Sequence, residues 1–172
     1  MKMHSFCELI FDNRPYTVNV ETDISEEPYR SHTPAREFMP LSVPGGMRMT
    51  LLARFTTNLP ELTAKKSLQR IGEGQAWLYQ EDHLLLLWRC NLSQHYRAAN
   101  PLEDANLHIL WESFERLLLS QFPDTLQIVT PAWNRPYDAD LWLQFIQMHG
   151  YTRPSPAGIP NMAFLKDVEA KA

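Results

Sequence analysis

The sequence has few cysteines, no cluster of basic residues and no long apolar run. Its two cysteines, Cys7 and Cys90, lie far apart in apolar strand-like segments, so we expect buried free thiols rather than a disulfide. Lysine and arginine form no extended run, and the formal net charge of -4 argues against nucleic-acid binding through bulk charge. No apolar run approaches the roughly 20 residues of a membrane-spanning helix, and Met1–Asp12 does not have the pattern of a secretory signal. These absences favour a soluble, cytoplasmic protein that binds neither nucleic acid nor membrane.

The common motifs of catalytic and metal sites are also missing. No GxSxG, P-loop or GxGxxG pattern is present. The six histidines form neither HxH nor HExxH, and none pairs with a cysteine at zinc spacing. His83 follows two acidic residues, which favours a solvated turn over a metal ligand. Cys90 lies in an apolar strand, where a thiol is usually inert. The sequence therefore predicts no metal site and assigns no catalytic residue.

The composition is typical of one globular domain. The 172 residues, 44% of them hydrophobic and 21% charged, are enough to bury a core. We take residues 1–172 as a single domain. The order of predicted strands and helices indicates an α/β (α+β) fold, with a mixed, mostly antiparallel central sheet and helices on both faces.

The N-terminal segment predicts a β-hairpin followed by a long loop. His4–Asp12 and Tyr16–Thr22 have the alternation of half-buried strands, with Pro15 in the turn between them. Ser25–Gly46 contains four prolines and two glycines, which no long helix or central strand accommodates. It is either a solvated surface loop or a lid or partner-binding loop.

A strand, a short helix and a second strand are predicted next. Met47–Thr56 has a strand-like composition. Asn58 is the predicted N-cap of a helix that Gly72 and Gly74 end. Gln75–Gln80 then predicts a strand that forms a hairpin with the segment that follows.

The second half of the chain alternates strand, long helix, strand and helix. The four elements are His83–Leu92, Pro101–Phe122, Thr125–Trp133 and Tyr137–Gly150. Leu84–Trp88 is continuously apolar, which indicates a strand covered on both faces. Asn100 is the predicted N-cap of the long helix, because Pro101 and Glu103 follow at the first and third helical positions. Gly150 is the predicted C-cap of the last helix, and Asn161–Val168 predicts a final strand.

This order of elements resembles the C-terminal half of the GNAT superfamily of N-acyltransferases. The matching pieces, within residues 83–168, are LLLLWRCNL, the helix from Pro101, LQIVTPAWN, FIQMHGY and AFLKDV. The resemblance implies an acyl-CoA cofactor such as acetyl-CoA, held by its pyrophosphate at the start of the long helix, and transfer of the acyl group to an amine. The cofactor-binding residues that it implies are Arg97, Ala98, Ala99, Asn100 and Asn134.

The start of the long helix departs from the family's pattern. The family holds the diphosphate with the backbone N–H groups of a glycine-rich, basic loop. The equivalent segment here, Ser93–Asp104, has no glycine, Pro101 lacks an N–H, and Glu103 and Asp104 add negative charge. Ile146 stands where the family often has a tyrosine acid, and an alkyl side chain cannot protonate a thiolate.

Aromatic and polar side chains in two loops form a candidate ligand pocket. These side chains are Tyr96, Trp133, Arg135 and Tyr137. Both loops are expected at the carboxyl ends of adjacent strands, where open α/β sheets bind ligands. Arg97 and Arg135 can hold an anionic group, and the rings can stack on a planar one. The alternative is a loop whose tryptophan covers the edge of the sheet.

Two functions fit these residues. One is an N-acyltransferase of the GNAT type, or a degenerate descendant, that acts on a small-molecule amine. The other is a non-catalytic binding or adaptor protein that uses a GNAT-like scaffold to hold a protein partner. The glycine-free, acidic helix start and the proline-rich segment motivate the second.

Overall fold

The computed structural model describes residues 2–28, 47–56, 70–80, 83–154 and 163–169, with only the backbone of 25–28. These residues form one eight-stranded sheet and two α-helices. The strands are β1 (Lys2–Phe11), β2 (Arg14–Pro28), β3 (Met47–Phe55), β4 (Arg70–Tyr79), β5 (Leu84–Leu92), β6 (Gln127–Pro131), β7 (Arg153–Pro154) and β8 (Ala163–Asp167). The helices are α1 (Ala105–Gln121) and α2 (Ala139–Met148), with a 3-10 turn at Pro101–Glu103 before α1.

The sheet has the strand order β1-β2-β3-β4-β5-β6-β8-β7. All neighbouring strands are antiparallel except β5 and β6, which run parallel and are connected through α1. A parallel connection needs a crossover long enough to return across the sheet, and α1 supplies it.

Both helices pack on the same face of the sheet. Leu107 and Phe114 of α1 are fully buried in one apolar cluster with residues of β1 to β5. Trp111 of α1 contacts Trp142 and Phe145 of α2, with 5.6 Å between ring centroids in each pair. The apolar stripe of α2 is thus buried against α1. The predicted α/β fold with helices on both faces is wrong: the described residues form a mostly-sheet fold.

The second face of the sheet carries a smaller apolar cluster. Its buried members are Trp77, Tyr79, Leu84, Leu86, Val129, Ala163 and Leu165. Leu85 and Leu87, which alternate with two of these residues, belong to the helix-side cluster. Strand β5 is therefore buried on both faces, as its continuous apolar run predicts.

A β-bulge interrupts strand β5. Gln75 of β4 pairs with Arg89, and the next residue, Ala76, pairs with Leu87. Trp88 is therefore an extra residue with no partner position in β4. The insertion reverses the alternation of side chains along β5, so that Cys90 joins Leu87 on the helix side.

The first hairpin turns one residue earlier than the sequence predicts. Asp12 and Asn13, with φ of 51° and 61°, connect the paired residues Phe11 and Arg14. Two left-handed residues match the twist of the flanking strands, and Asp and Asn tolerate this conformation. The expected turn residue Pro15 lies instead in β2.

The long helix begins four residues later than predicted. Asp104 is the N-cap of α1, and its Oδ1 accepts a hydrogen bond from the Leu107 N–H at 3.2 Å. Asn100 caps only the 3-10 turn, through a 3.0 Å bond from the Leu102 N–H to Oδ1. Both residues suit an N-cap, and the turn between them separates the two caps. The predicted cap at the end of α2 is confirmed, because Gly150 has a φ of 95°.

Several other predictions are corrected or lie outside the described residues. Gly72 and Gly74 do not end a helix but lie in β4, where a Cβ at Gly72 would meet Leu110 and one at Gly74 the Arg89 carbonyl. Arg70 and Ile71, which belong to the same predicted helix, also lie in β4, and 59–69 are outside the described residues. Of the predicted loop 25–46 only 25–28 are described, and they continue β2. The expectation of free thiols is confirmed, with Cys90 buried and Cys7 half-buried.

Candidate functional site

The pairing between the parallel strands β5 and β6 ends before either strand does. The β5–β6 ladder pairs Leu84–Leu86 with Gln127–Val129 and goes no further. At the next residue a side chain replaces the ladder, since the hydroxyl of Thr130 donates to the Leu87 carbonyl at 2.8 Å. The space beyond is where the sequence predicts a ligand site.

Two asparagines fill this space. Nδ2 of Asn134 donates to Oδ1 of Asn91 at 2.5 Å and to the Cys90 carbonyl at 3.4 Å. Nδ2 of Asn91 donates in turn to the Arg135 carbonyl at 3.3 Å. Both side chains are buried. The predicted cofactor residue Asn134 therefore binds strand β5 to the loop after β6 and uses its amide N–H groups within the protein.

The polar groups of the loop before α1 bind one another. The Asp104 carboxylate, in a residue that is 6% exposed, accepts from the Ala98 N–H at 2.8 Å in addition to its bond with Leu107. Nη1 of Arg97 donates to the Leu92 carbonyl at 3.5 Å. Ala99 is exposed. Two amides and one guanidinium N–H that could hold a diphosphate at this helix start are thus bound by the chain's own carboxylate and carbonyl.

Tyr96 lies apart from the other predicted pocket residues. Its ring packs edge-on against Phe11 and Phe55, with centroid distances of 5.2 and 5.7 Å. Burial raises the pKa of Tyr96. The sequence places Tyr96 next to Arg97 in one loop, but its ring turns toward the N-terminal hairpin on the helix side.

Trp133 and Arg135 form an exposed corner after β6. Trp133 is 38% exposed and packs edge-on against Trp88, with 5.3 Å between centroids, and Trp88 packs in the same way on Trp77. Arg135 is exposed and precedes a cis peptide bond to Pro136. A cavity of about 610 Å³ is lined here by Trp133, Asn134, Arg135, Tyr137 and Ala139. The structure thus brings together the four site residues predicted after β6.

The described lining of this cavity is aromatic, amide and guanidinium in character. Its described lining contains no carboxylate, imidazole or thiol. Burial, followed by the nearby Cys90 and Asp104, raises the pKa of Tyr137. Its ring stacks on Trp142 at 5.3 Å. A phenol that holds its proton so firmly is no general base.

Two residues central to this region were not assigned a role from the sequence. Asn91 looks like one polar residue in an apolar strand, and only the bulge places it opposite Asn134. Asp104 was counted as a charge that opposes an anion. Its position immediately before the regular apolar spacing of α1 is the signal that identifies an N-cap.

Two further groups of titratable side chains lie under the helices. His108 Nδ1 and His149 Nε2 are 2.8 Å apart, and His108 Nε2 is 3.0 Å from the Leu102 carbonyl. Burial, aided by His108 and Lys166, lowers the pKa of His149 to about 4. Two turns further along the same face of α1, Lys166 Nζ lies 2.6 and 3.2 Å from the carboxylate oxygens of Glu115. Burial raises the pKa of Glu115, and Lys166 opposes that shift.

Comparison of the sequence with protein-family models and with curated proteins finds no match in either set. Within the described ranges, no three histidine, cysteine, aspartate or glutamate side chains are grouped so that they could hold a metal ion. Neither α1 nor α2, at 17 and 10 residues, is long and apolar enough to cross a membrane.

Proposed function

We propose that this chain is a non-catalytic binding protein that holds a protein partner at the Trp133–Arg135 corner. The observation that carries the proposal is the Asp104 carboxylate, which accepts from two backbone N–H groups at the start of α1. A carboxylate in this position occupies the place of an anionic ligand. An acyl-CoA diphosphate would have to displace it and then lie beside its negative charge.

The scaffold supports a descent from an N-acyltransferase without requiring the activity. The order β5, α1, β6, α2 and β8 is the order on which the resemblance to the GNAT superfamily rests. Fold and function separate readily, because function depends on the site. Here the strand gap is closed by Asn134 and Asn91, and the loop before α1 by Asp104.

The corner after β6 has the composition of a protein-binding site. Tryptophan and arginine are the residue types that most often dominate binding energy at interfaces. The loop is also held firmly from behind, by Trp88 under the Trp133 ring and by the Asn91 bond to the Arg135 carbonyl. A preformed loop loses little conformational entropy on binding. The exposed guanidinium of Arg135 favours a partner segment that carries a carboxylate next to an apolar side chain.

A cofactor titration tests the first half of the proposal. Calorimetry with CoA and acetyl-CoA, up to about millimolar ligand, should show no binding heat in the wild-type protein. Binding that weakens in Arg97→Ala would overturn the proposal and restore an acyl-CoA site. Heat that is unchanged in Arg97→Ala would place the ligand elsewhere.

Partner capture tests the second half. Proteins retained from a cell extract by the immobilised wild type should be lost with Trp133→Ala and with Arg135→Ala, each variant weakening binding by about tenfold or more. Leu126→Ala is the matched control, because Leu126 is 61% exposed but lies before β6, at the other end of that strand. A captured set that is the same for all four proteins would contradict a role for this corner.

A further inference from the structure

The two edges of the sheet are built very differently. The edge strand β7 is two residues long and contains Pro154, which offers no N–H to a neighbouring strand. The opposite edge strand, β1, is ten residues long and contains neither proline nor glycine. It pairs with β2 in unbroken register. A long, regular edge strand is a template for another strand, and natural proteins usually shorten or interrupt such edges.

The geometry of the hairpin shows which groups of β1 face outward. A two-residue turn closes on a hydrogen-bonded pair, here Phe11 and Arg14. Every second residue from Phe11 backwards therefore binds β2, and the residues between them direct N–H and C=O away from the sheet. Asn106 confirms this alternation, since its side chain binds the Ile10 N–H at 2.9 Å and the Ile10 carbonyl at 2.7 Å from outside. The outward-facing residues are Lys2, His4, Phe6, Glu8 and Ile10.

Helix α1 covers only one end of this edge. Its N-terminal end reaches Ile10 through Asn106, whereas its C-terminal end lies further in, where Gln121 accepts a 2.6 Å bond from the Thr22 hydroxyl of β2. The outward-directed N–H and C=O groups of Lys2, His4, Phe6 and Glu8 are left open, since no described group bonds to them. The side chains of these alternate residues are exposed too, and Phe6 is 65% exposed.

We propose that the open edge of β1 pairs antiparallel with β1 of a second copy of this chain. The twofold axis lies at Ser5, so that Lys2 of one copy faces Glu8 of the other and His4 faces Phe6. In this register the N–H and the C=O of all four open residues each form one hydrogen bond in each copy, and Ile10 keeps its bonds with Asn106. The two sheets then form one continuous sheet through eight additional backbone hydrogen bonds.

The distribution of charge along β1 indicates that the strand pairing with it is β1 of a second copy. Charged residues on an edge normally discourage pairing. Strand β1 is basic at its start, with Lys2 and His4, and acidic towards its end, with Glu8. Antiparallel self-pairing sets the basic end of one copy against the acidic end of the other, so the same charges that would oppose many strands favour this one. A register shifted to centre on Phe6 would need the Ile10 groups that Asn106 already occupies.

Sedimentation velocity tests the association, with any purification tag at the C-terminus so that β1 stays native. The wild type should change from monomer to dimer with a dissociation constant below about 0.1 mM. Glu8→Lys places like charges opposite each other twice and should weaken association by about tenfold. The exchange Lys2→Glu/Glu8→Lys should restore it. A monomer at every concentration, or an exchange no better than the single variant, would overturn the proposal.

Cysteine cross-linking tests the register. Ser5 faces its own copy in a non-hydrogen-bonded pair with about 4.5 Å between Cα atoms, a distance that suits a disulfide. In a Cys7→Ser background, Ser5→Cys should form a covalent dimer under mild oxidation. Phe6→Cys is the matched control, because the Phe6 positions are two residues out of register. Cross-linking of Phe6→Cys alone would contradict this arrangement. Circular dichroism spectra that match the wild type confirm that each variant is folded.

Discussion

Removing the charge of Lys166 should destabilise the protein in a way that depends on pH. Glu115 is 5% exposed in the middle of α1, and Lys166 of β8 binds both of its carboxylate oxygens. The Tyr151 hydroxyl and the Trp111 indole also lie beside the carboxylate and lower its pKa, without reaching full hydrogen-bond geometry. Lys166→Met keeps the aliphatic chain that packs against Gly150 but removes the only cation bonded to Glu115 within the described residues.

The free energy of unfolding that Lys166→Met removes has an upper limit. Breaking a buried ion pair costs about 3–5 kcal/mol, and the 29% exposure of the Lys166 side chain places this pair at the lower end. Glu115 can also lose its unpaired charge by taking up a proton, and because this costs about 3.5 kcal/mol at pH 7 for an ordinary glutamate, it limits the destabilisation. We therefore expect Lys166→Met to lower the free energy of unfolding by about 3 kcal/mol at pH 7.

The pH dependence follows from the direction of the pKa shift. Burial already raises the pKa of Glu115, and loss of Lys166 raises it further. The folded state then holds the proton more tightly than the unfolded state, so stability falls as pH rises between the unfolded and folded pKa values. The deficit should be nearly complete at pH 7 and should almost vanish near pH 4.

Urea denaturation followed by circular dichroism measures both effects. The double variant Glu115→Leu/Lys166→Met, which removes both charges, should lie within about 1 kcal/mol of the wild type at pH 7. A single variant that loses less than about 1 kcal/mol, or the same amount at pH 4 and pH 7, would refute the reasoning. So would a double variant as unstable as Lys166→Met.

Two more predictions concern the helix termini. Asp104→Ala removes the acceptor of the Ala98 and Leu107 N–H groups and should lower the free energy of unfolding by about 2–3 kcal/mol, whereas Asp104→Asn keeps a good N-cap and should cost about 1 kcal/mol. Equal urea midpoints for the two variants would contradict this. His149 has a folded pKa of about 4, below its unfolded value, so the unfolded state takes up the proton first and stability is lost as pH falls from 6.5 towards 4. Between pH 7 and pH 5 the free energy of unfolding of the wild type should fall by about 2 kcal/mol more than that of His149→Gln. Parallel pH profiles of the two proteins would contradict this role of His149.

The elements that the sequence predicts best are those whose pattern is set locally. The apolar run at Leu84–Leu87 marks a strand buried on both faces, and it is buried on both faces. Gly150 marks a helix end because the left-handed conformation there suits glycine. Such signals depend on a few neighbouring residues and on no distant contact.

The features that the sequence does not predict depend on distant partners. The face on which α2 lies depends on its contact with Trp111, and no periodicity within α2 encodes that choice. Tyr96 and Trp133 are separated for the same reason, since each ring follows a tertiary contact.

The extra residue in β5 divides that strand into two halves of opposite phase. Up to Leu87 the odd-numbered residues face the helices, and after Trp88 the even-numbered ones do. Deletion of Trp88 would remove the bulge and leave Cys90 and Asn91 on their present faces, because Gln75–Arg89 and Ala76–Leu87 would then be consecutive pairs. A one-residue gap at this position therefore keeps both faces of the strand, and what it removes is the Trp88 ring that lies between Trp77 and Trp133. Relatives that keep the Asn91–Asn134 bond can therefore differ by one residue in the length of this strand.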